Sequence, residues 1–476
     1  MALRFYNTLT QRLEEFRPLD GETVRMYTCG PTVYHYVHIG NFRTFSFQDV
    51  LRRVLRMRGW KLHHVMNITD VDDKIIRNAV AEGKSLKEYT ERFTQAFLED
   101  AAKLRLERPE KLVFATEHIP DMVAAIQRLA EKRHTYESEG STYFRIASFP
   151  EYGKLSHTNF SGNVAGARVD VDEYEKADAR DFVLWKARKP GEPYWDTPLG
   201  AGRPGWHIEC SVMAMQYLGE TIDLHAGGED LIFPHHECEI AQSESLTGKP
   251  FANTWIHTRF LQVDGEKMSK SKGNFYTVRD LVDGDRVDPL ALRYALITVP
   301  YGKPLNFTRQ TLRDAAQNVD RFRECARLAD AAKARGAKGA SAGFAESLRQ
   351  LADEMLEAMC DDLNTSVALA KALGGTSVIF KAGDSMTAED APAALAFLDE
   401  VQALLGIVRP EHGAVQAPSA PQVDEERIEA LIAERAAAKK ARDFARADAI
   451  RAQLDAEGIE LRDTPEGTHW RFKTTP

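Results

Sequence analysis

Between Val24 and Ile68 the residues alternate strand, helix, strand, and this pattern narrows the possible folds more than any other in the chain. Val24-Arg-Met-Tyr-Thr28 reads as a strand, and Gly30-Pro31 as a turn. The chain re-enters regular structure near His38-Ile39-Gly40-Asn41. An amphipathic run from Phe45 to Leu55 then predicts a helix, and Lys61-Leu-His-His-Val-Met-Asn-Ile68 a second strand. A βαβ unit implies a parallel, doubly wound sheet whose ligands sit beyond the carboxyl ends of the strands. A helix start after a Gly-containing turn also favours phosphate, through its free amides and dipole. Cys29 stands at that same rim, an odd residue for a phosphate site unless the thiol has a task. Asn67 to Lys74 reaches the rim as well. Its acidic trio Asp70, Asp72 and Asp73 can be read as a metal site or as caps for a helix near Lys74, paired with basic neighbours; capping is the expectation.

At 476 residues the chain is too long for one core and predicts two to four domains. Residues 84–133 read as helical with a boundary at Glu107-Arg-Pro109, and residues 138–198 as short strands and turns of a small inserted domain. Gly205 to Leu218 predicts a helix with Cys210 in its first turns. Ile222-Asp-Leu-His-Ala-Gly-Gly predicts a strand entering a Gly-rich turn, and Phe233-Pro-His-His-Glu-Cys-Glu a helix with Pro234 near its start. Arg259 to Phe275 resembles a hairpin followed by a polar loop, Thr308 to Val408 is helical, and residues 409–423 form a linker. In the last unit, 424–476, Arg435, Lys439, Arg442 and Arg446 are spaced to share one helical face.

Net charge −9 excludes a generally cationic nucleic-acid binder but leaves local basic faces open. No apolar run approaches the roughly 20 residues of a membrane span, and the first residues lack an apolar signal core. Five sparse cysteines argue against a disulfide framework and for a reducing, cytoplasmic setting.

Cys29, Cys210 and the i, i+4 pair His235/Glu239 all fall at strand ends or helix starts that can face one rim. Two thiolates, an imidazole and a fourth donor suit tetrahedral zinc. Cys238 competes with Glu239 for the fourth position, since thiolate is the better zinc ligand. A bland alternative makes the cysteines small buried hydrophobes and His235 a hydrogen-bonded helix residue. Lys267-Met-Ser-Lys-Ser271 with Lys272 puts cations on a flexible loop, as a solvated surface run or as a clamp on a triphosphate. Beside a His38–Asn41 helix start, the clamp is favoured.

Together these stretches resemble the class I aminoacyl-tRNA synthetases. His38-Ile-Gly-Asn41 is similar to the HIGH signature, and Lys267-Met-Ser-Lys-Ser271 matches KMSKS in full. Within that class, Cys29-Gly-Pro-Thr-Val-Tyr, Asn67-Ile-Thr-Asp-Val-Asp-Asp-Lys, Gly205-Trp-His-Ile-Glu-Cys-Ser, Gly227-Gly-Glu-Asp-Leu-Ile-Phe-Pro-His-His-Glu, Asp361-Asp-Leu-Asn-Thr and the C-terminal Asp443-Phe-Ala-Arg-Ala-Asp and Asp463-Thr-Pro-Glu-Gly-Thr-His-Trp resemble the cysteinyl-tRNA synthetase family. The resemblance implies an α/β fold. A Rossmann-type catalytic domain (1–120 and 195–250) carries an inserted connective domain (121–194). A KMSKS-loop and stem-contact region (251–307), a helical bundle (308–408) and an anticodon-binding domain (424–476) follow.

The resemblance places zinc on Cys29, Cys210, His235 and Glu239, and ATP with Mg²⁺ at His38, Gly40, Asn41, Lys267 and Lys270. His38, Asn41, Lys267 and Lys270 are the implied catalytic residues. Cysteine falls near Cys29, Thr69, Trp206 and Asp230, and tRNA(Cys) at Arg435, Lys439, Arg442, Arg446 and Trp470. Asn41 departs from the class signature, which has a second histidine there. The implied activity is a cytoplasmic, monomeric cysteine–tRNA ligase that forms cysteinyl-adenylate and then charges tRNA. A zinc ion would select the thiolate, and the inserted domain is too short for editing. Two other readings compete: a ligase that passes cysteine to an amino sugar, and an inactive RNA-binding paralogue.

Overall fold

The structure, a computed structural model, describes residues 2–158, 181–269, 272–408, 425–440, 443–456, 459–464 and 467–472. The chain divides into two compact units, Met1–Ala414 and Val415–Pro476.

The first unit is built on a five-stranded sheet in the order Ala252–Thr258, Ile222–Gly228, Thr23–Thr28, Lys61–Ile68, Lys111–Phe114, parallel throughout. The chain starts mid-sheet at Thr23–Thr28, steps outward twice, then returns to the other side. The order therefore reverses between Thr23–Thr28 and Ile222–Gly228, and the crevice for a ligand opens at their carboxyl ends. Alternating residues of the strands feed two cores. Val24, Met26, Met66, Ile68 and Leu224 pack with Ile39, Phe42, Val50 and Val54 of helix Ile39–Met57. Tyr27, Cys29, Val65 and Val113 pack on the opposite face with Ile208 and Met213 of helix Trp206–Leu218. Coverage of both faces is what a parallel sheet requires.

Several elements depart from the sequence reading. The helix does begin within His38–Asn41, at Ile39, but its regular run is six residues longer at the front than the amphipathic stretch from Phe45 shows, because His38 caps it. Strand Lys111–Phe114 lies inside the stretch read as helical; it is four residues long, too short for its period to register. Strands Trp195–Thr197 and Gly200–Pro204 belong to the inserted antiparallel sheet with Thr135–Ser138, Ser141–Phe144 and Phe182–Ala187. That sheet thus passes residue 194: a Cβ on Gly202 would stand 2.2 Å from the Lys186 carbonyl, so only glycine lets the strands meet there. The parallel sheet likewise passes residue 250, since Ala252–Thr258 is its edge strand. Phe233 is extended, so helical backbone resumes at Pro234, near the helix start where the sequence places it, and continues into helix Glu237–Thr247.

Downstream, the hairpin Leu261–Val263/Glu266–Lys267 is joined by Leu305–Phe307, which runs parallel to its first strand. A helix absent from the sequence reading, Pro289–Ile297, follows the KMSKS stretch. Helices Arg309–Arg335, Phe344–Cys360, Thr365–Ala382 and Ala391–Leu405 form the bundle.

In the second unit, helices Glu425–Lys440 and Phe444–Ala456 precede the hairpin Ile459–Thr464/Gly467–Phe472. The single basic face expected of Arg435, Lys439, Arg442 and Arg446 does not form. The first helix ends at Lys440, and Asp443 caps the next by accepting from the Arg446 amide at 3.1 Å. Arg435 is buried, and Arg446 pairs with Glu434 at 2.7 Å. Arg442 lies outside the described residues, and the strand pairing opposes Trp470 to Leu461.

Candidate active site

Cys29 leaves the central strand at the topological switch point, its amide bonded to the Ala226 carbonyl at 3.3 Å. The turn that follows needs glycine. A Cβ on Gly30 would lie 1.8 Å from the Asn67 carbonyl oxygen, and the Gly30 amide donates to Asn67 Oδ1 at 2.9 Å. Cys210 comes from the second turn of helix Trp206–Leu218, and His235 and Glu239 from the segment after the Gly227-Gly228 turn. Their ligand atoms lie within 4.8 Å of one another, and all four residues are buried. Cys29 Sγ is 3.9 Å from Cys210 Sγ and 3.8 Å from Glu239 Oε1, while His235 Nε2 is 3.0 Å from that same oxygen. Tetrahedral zinc with bonds of about 2.0–2.3 Å places its donors roughly 3.3–3.8 Å apart. The separations of 3.0–3.9 Å bracket that range, and shifts of a few tenths of an ångström close the set on the ion. Cys238 faces away, its thiol 3.3 Å from the Tyr152 hydroxyl.

The charges of these donors are tightly coupled. Burial raises Glu239, yet His225 and His235 overrule it and hold the carboxyl down at about 2. Burial lowers His235, but Glu239 and Cys210 carry it to about 10. The ion-pair partners of the Glu239 carboxylate are histidines alone among the described residues. The other ring nitrogen of His235 faces His207 Nδ1 at 2.9 Å, which orients Nε2 toward the cluster.

A layer of histidines that the sequence reading missed surrounds this cluster. His225 Nε2 meets Glu239 Oε2 at 2.9 Å, and His236 Nε2 meets Cys29 Sγ at 3.3 Å. His257 Nε2 bonds His236 Nδ1 at 2.8 Å, and Thr8 Oγ1 bonds His257 Nδ1 at 2.8 Å. Cys29, His225, His236 and Glu239 form a second, overlapping quartet of donors. The only early signal was position: His225 at a strand end before two glycines, His236 beside His235. Gly227 makes room for this layer, since a Cβ there would stand 2.7 Å from the His236 ring.

Around the rim, Trp206 is 38% exposed and lies over the His235 ring with centroids 4.3 Å apart. Thr69 is buried, donating to Glu209 Oε2 at 3.1 Å. Asp230 is exposed, with Oδ1 only 2.4 Å from where a Gly228 Cβ would stand. The acidic trio caps and pairs, as expected. Asp72 accepts from the Lys74 amide at 2.7 Å, Asp73 pairs with Lys186 and Arg203, and Asp70 accepts from Thr116.

Nine residues on from Cys29, His38 caps helix Ile39–Met57, its Nδ1 accepting from the Asn41 backbone amide at 3.2 Å. The ring proton therefore sits on Nε2. Burial pushes the imidazole down to about 4, so it is neutral at physiological pH. Asn41 is exposed at the first turn. The KMSKS segment packs directly against this turn. A Cβ on Gly40 would meet Met268 Cε at 2.9 Å, Phe275 stands edge-on to the His38 ring at 5.4 Å, and the Ile39 amide donates to the Tyr276 carbonyl at 2.9 Å. Lys267 is exposed, and Lys270 lies outside the described residues.

A switch-point crevice joining a helix-capping histidine to a lysine loop defines the class. Residues 15–317 match the model for the "tRNA synthetases class I (C) catalytic domain", and residues 424–471 the "Cysteinyl-tRNA ligase anticodon binding domain". Among solved structures, methionyl-tRNA synthetase from Mycobacterium tuberculosis, in complex with methionyl-adenylate, shares the fold. It superposes with TM-score 0.61 at 15% identity, covering 81% of this chain and 92% of that one. The curated relatives are more specific. A cysteine–tRNA ligase of Solibacter usitatus is 58% identical over 99% of this chain and 100% of its own length. That of Koribacter versatilis is 50% identical over the same shares. The chain belongs to the cysteine–tRNA ligase family.

Proposed function

We propose that the chain activates L-cysteine with Mg·ATP to cysteinyl-adenylate, releasing pyrophosphate, and passes the acyl group to the terminal ribose of tRNA(Cys). One observation carries this: the buried donor set Cys29, Cys210, His235 and Glu239 adjoins the His38–Asn41 helix start at the sheet's switch point. Zinc held by those four residues supplies a Lewis-acidic partner that favours the charged form of the substrate thiol. Trp206 covers the same spot and excludes water, while Thr69 and Asp230 border the space for the amino acid. His38 offers Nε2–H and Asn41 its side-chain carboxamide to the nucleotide. Lys267 and Lys270 stabilise the charge that develops as pyrophosphate leaves, and positioning carries the rest. Serine, lacking a thiol, leaves the site's polar groups poorly matched. Discrimination on the order of 10⁴ then needs no editing domain.

Lys439, Arg446, Arg442 and Trp470 remain the proposed anticodon-side contacts, without a shared helix face. A buried Arg435 would act there through packing. The proposal takes one chain as the working unit, in the cytoplasm; among the described residues no helix is long and apolar enough to cross a membrane. Cysteine-dependent ATP–pyrophosphate exchange followed by charging of bulk tRNA tests the whole reading. Exchange without charging would favour the amino-sugar ligase, and absence of both the inactive paralogue.

A further inference from the structure

Arg43 lies two residues beyond Asn41, is fully buried, and belongs to neither the donor cluster nor the nucleotide groups. Its guanidinium donates to four backbone carbonyls: Arg259 at 3.2 Å, Leu296 at 3.4 Å, Pro300 at 3.2 Å and Lys303 at 2.6 Å. Burial lowers its pKa to about 10, which leaves the cation charged at neutral pH. The guanidinium also lies over the Phe47 ring, 5.4 Å from its centroid, and feels the charge of Glu229, but its hydrogen bonds all go to carbonyls. A buried charge held in this way is an expensive means of filling space, since an apolar side chain would do that at less desolvation cost.

The four acceptors have something in common. All belong to the substructure that carries the lysine loop. Lys303 just precedes strand Leu305–Phe307, which pairs with Leu261–Val263, which pairs in turn with Glu266–Lys267. The same loop is pinned from its far side. Arg259 donates its amide to the Tyr301 carbonyl at 2.8 Å, and the Tyr301 hydroxyl donates to Asp362. Asp362 and Leu363 are left-handed, with φ of +59° and +50°. That strain aims the Asp362 carboxylate at both Tyr301 and the Tyr6 amide, 2.8 Å away. The Asp361–Thr365 motif singled out in the sequence thereby gains a task. Near the tip, by contrast, the loop substructure meets the helix start through Met268, Phe275 and backbone contacts of His38 and Ile39 with Thr277 and Tyr276.

We propose that Arg43 is a positioning residue: its four-carbonyl clasp, backed by Tyr301 and Asp362, sets the distance at which Lys267 faces the His38–Asn41 turn. The inference rests on reading those two segments as the ATP site.

The test is a double-mutant cycle on full-length, zinc-loaded protein, read by ATP–pyrophosphate exchange. Arg43→Lys keeps the charge but not the planar fork. It is expected to lower kcat on the order of 10²-fold, the effect of misplacement by about 1 Å, with zinc content and KM for cysteine unchanged. In a Lys267→Ala background the same substitution is expected to cost less than about threefold, because there is no longer a lysine to place. Tyr301→Phe, which removes one hydroxyl, is run through the same cycle and carries the test if Arg43→Lys does not fold. An equal penalty in both backgrounds, no penalty in either, or a parallel loss of zinc and of cysteine affinity would overturn the inference. If the unaltered chain shows no cysteine-dependent exchange, the ATP-site reading itself fails, and the inference with it.

Discussion

The two halves of the crevice are built in opposite ways. On the side proposed to take the thiol, every donor is buried, the four come from three parts of the chain, and His235 and Glu239 are each held by a further histidine. On the nucleotide side, Asn41 and Lys267 are exposed, and the loop meets the helix turn through a methionine, a ring edge and backbone bonds. The first half is suited to telling one small side chain from another, which demands fixed geometry. The second must admit ATP and release pyrophosphate, which demands access. The proposed function thus assigns selectivity and turnover to separate walls of one cleft.

Breaking the thiol wall should do the most damage. Glu239→Gln or Cys210→Ser is expected to remove zinc, measured by metal analysis, and to lower cysteine-dependent exchange on the order of 10⁴-fold. Cys238→Ser should keep its zinc and lose only about 1 kcal/mol of stability, the worth of its contact with Tyr152. Zinc loss in Cys238→Ser and not in Glu239→Gln would mean the ligand set is wrong. Lys267→Ala comes next: kcat for exchange should drop on the order of 10²–10³-fold while zinc content and cysteine affinity hold. If cysteine affinity falls as well, the two walls are not separate.

Smaller still is the effect of acid. Burial pushes His38 down to about 4, and burial and Arg52 lower His64, which is locked between Thr28 and Arg52 at 2.7 and 2.9 Å. With folded values below the ordinary 6.5, the unfolded chain takes up protons first as pH falls. Stability from these groups is therefore full above about 6.5 and declines below it, by roughly 1 kcal/mol per pH unit for each. Thermal melts between pH 7.5 and 5 should show this slope, and His64→Gln should flatten it. A melting temperature that rises on acidification would contradict it.

Much of the thiol wall was legible because its residues announce their chemistry. Cysteine at a strand end and His/Glu at i, i+4 are rare enough to draw attention, and His38–Asn41 with Lys267–Ser271 carried the other wall. What stayed hidden had no local signal. His225, His236 and His257 meet only through tertiary folding, and Lys111–Phe114 is recruited to the sheet by Lys61–Ile68 rather than by its own pattern. The basic spacing from Arg435 to Arg446 misled because helical periodicity runs on through a break that Asp443 imposes. Gly30 was read as a turn residue; only the structure shows a carbonyl where its side chain would be.

The separation of the walls rests on the donor cluster recognising the thiol, and calorimetry tests that directly. Cysteine and serine are titrated into zinc-loaded and zinc-depleted protein without ATP. Cysteine binding should weaken on the order of 10³-fold or more when zinc is removed, while serine binds weakly to both forms. Cysteine affinity that is the same with and without zinc would contradict it.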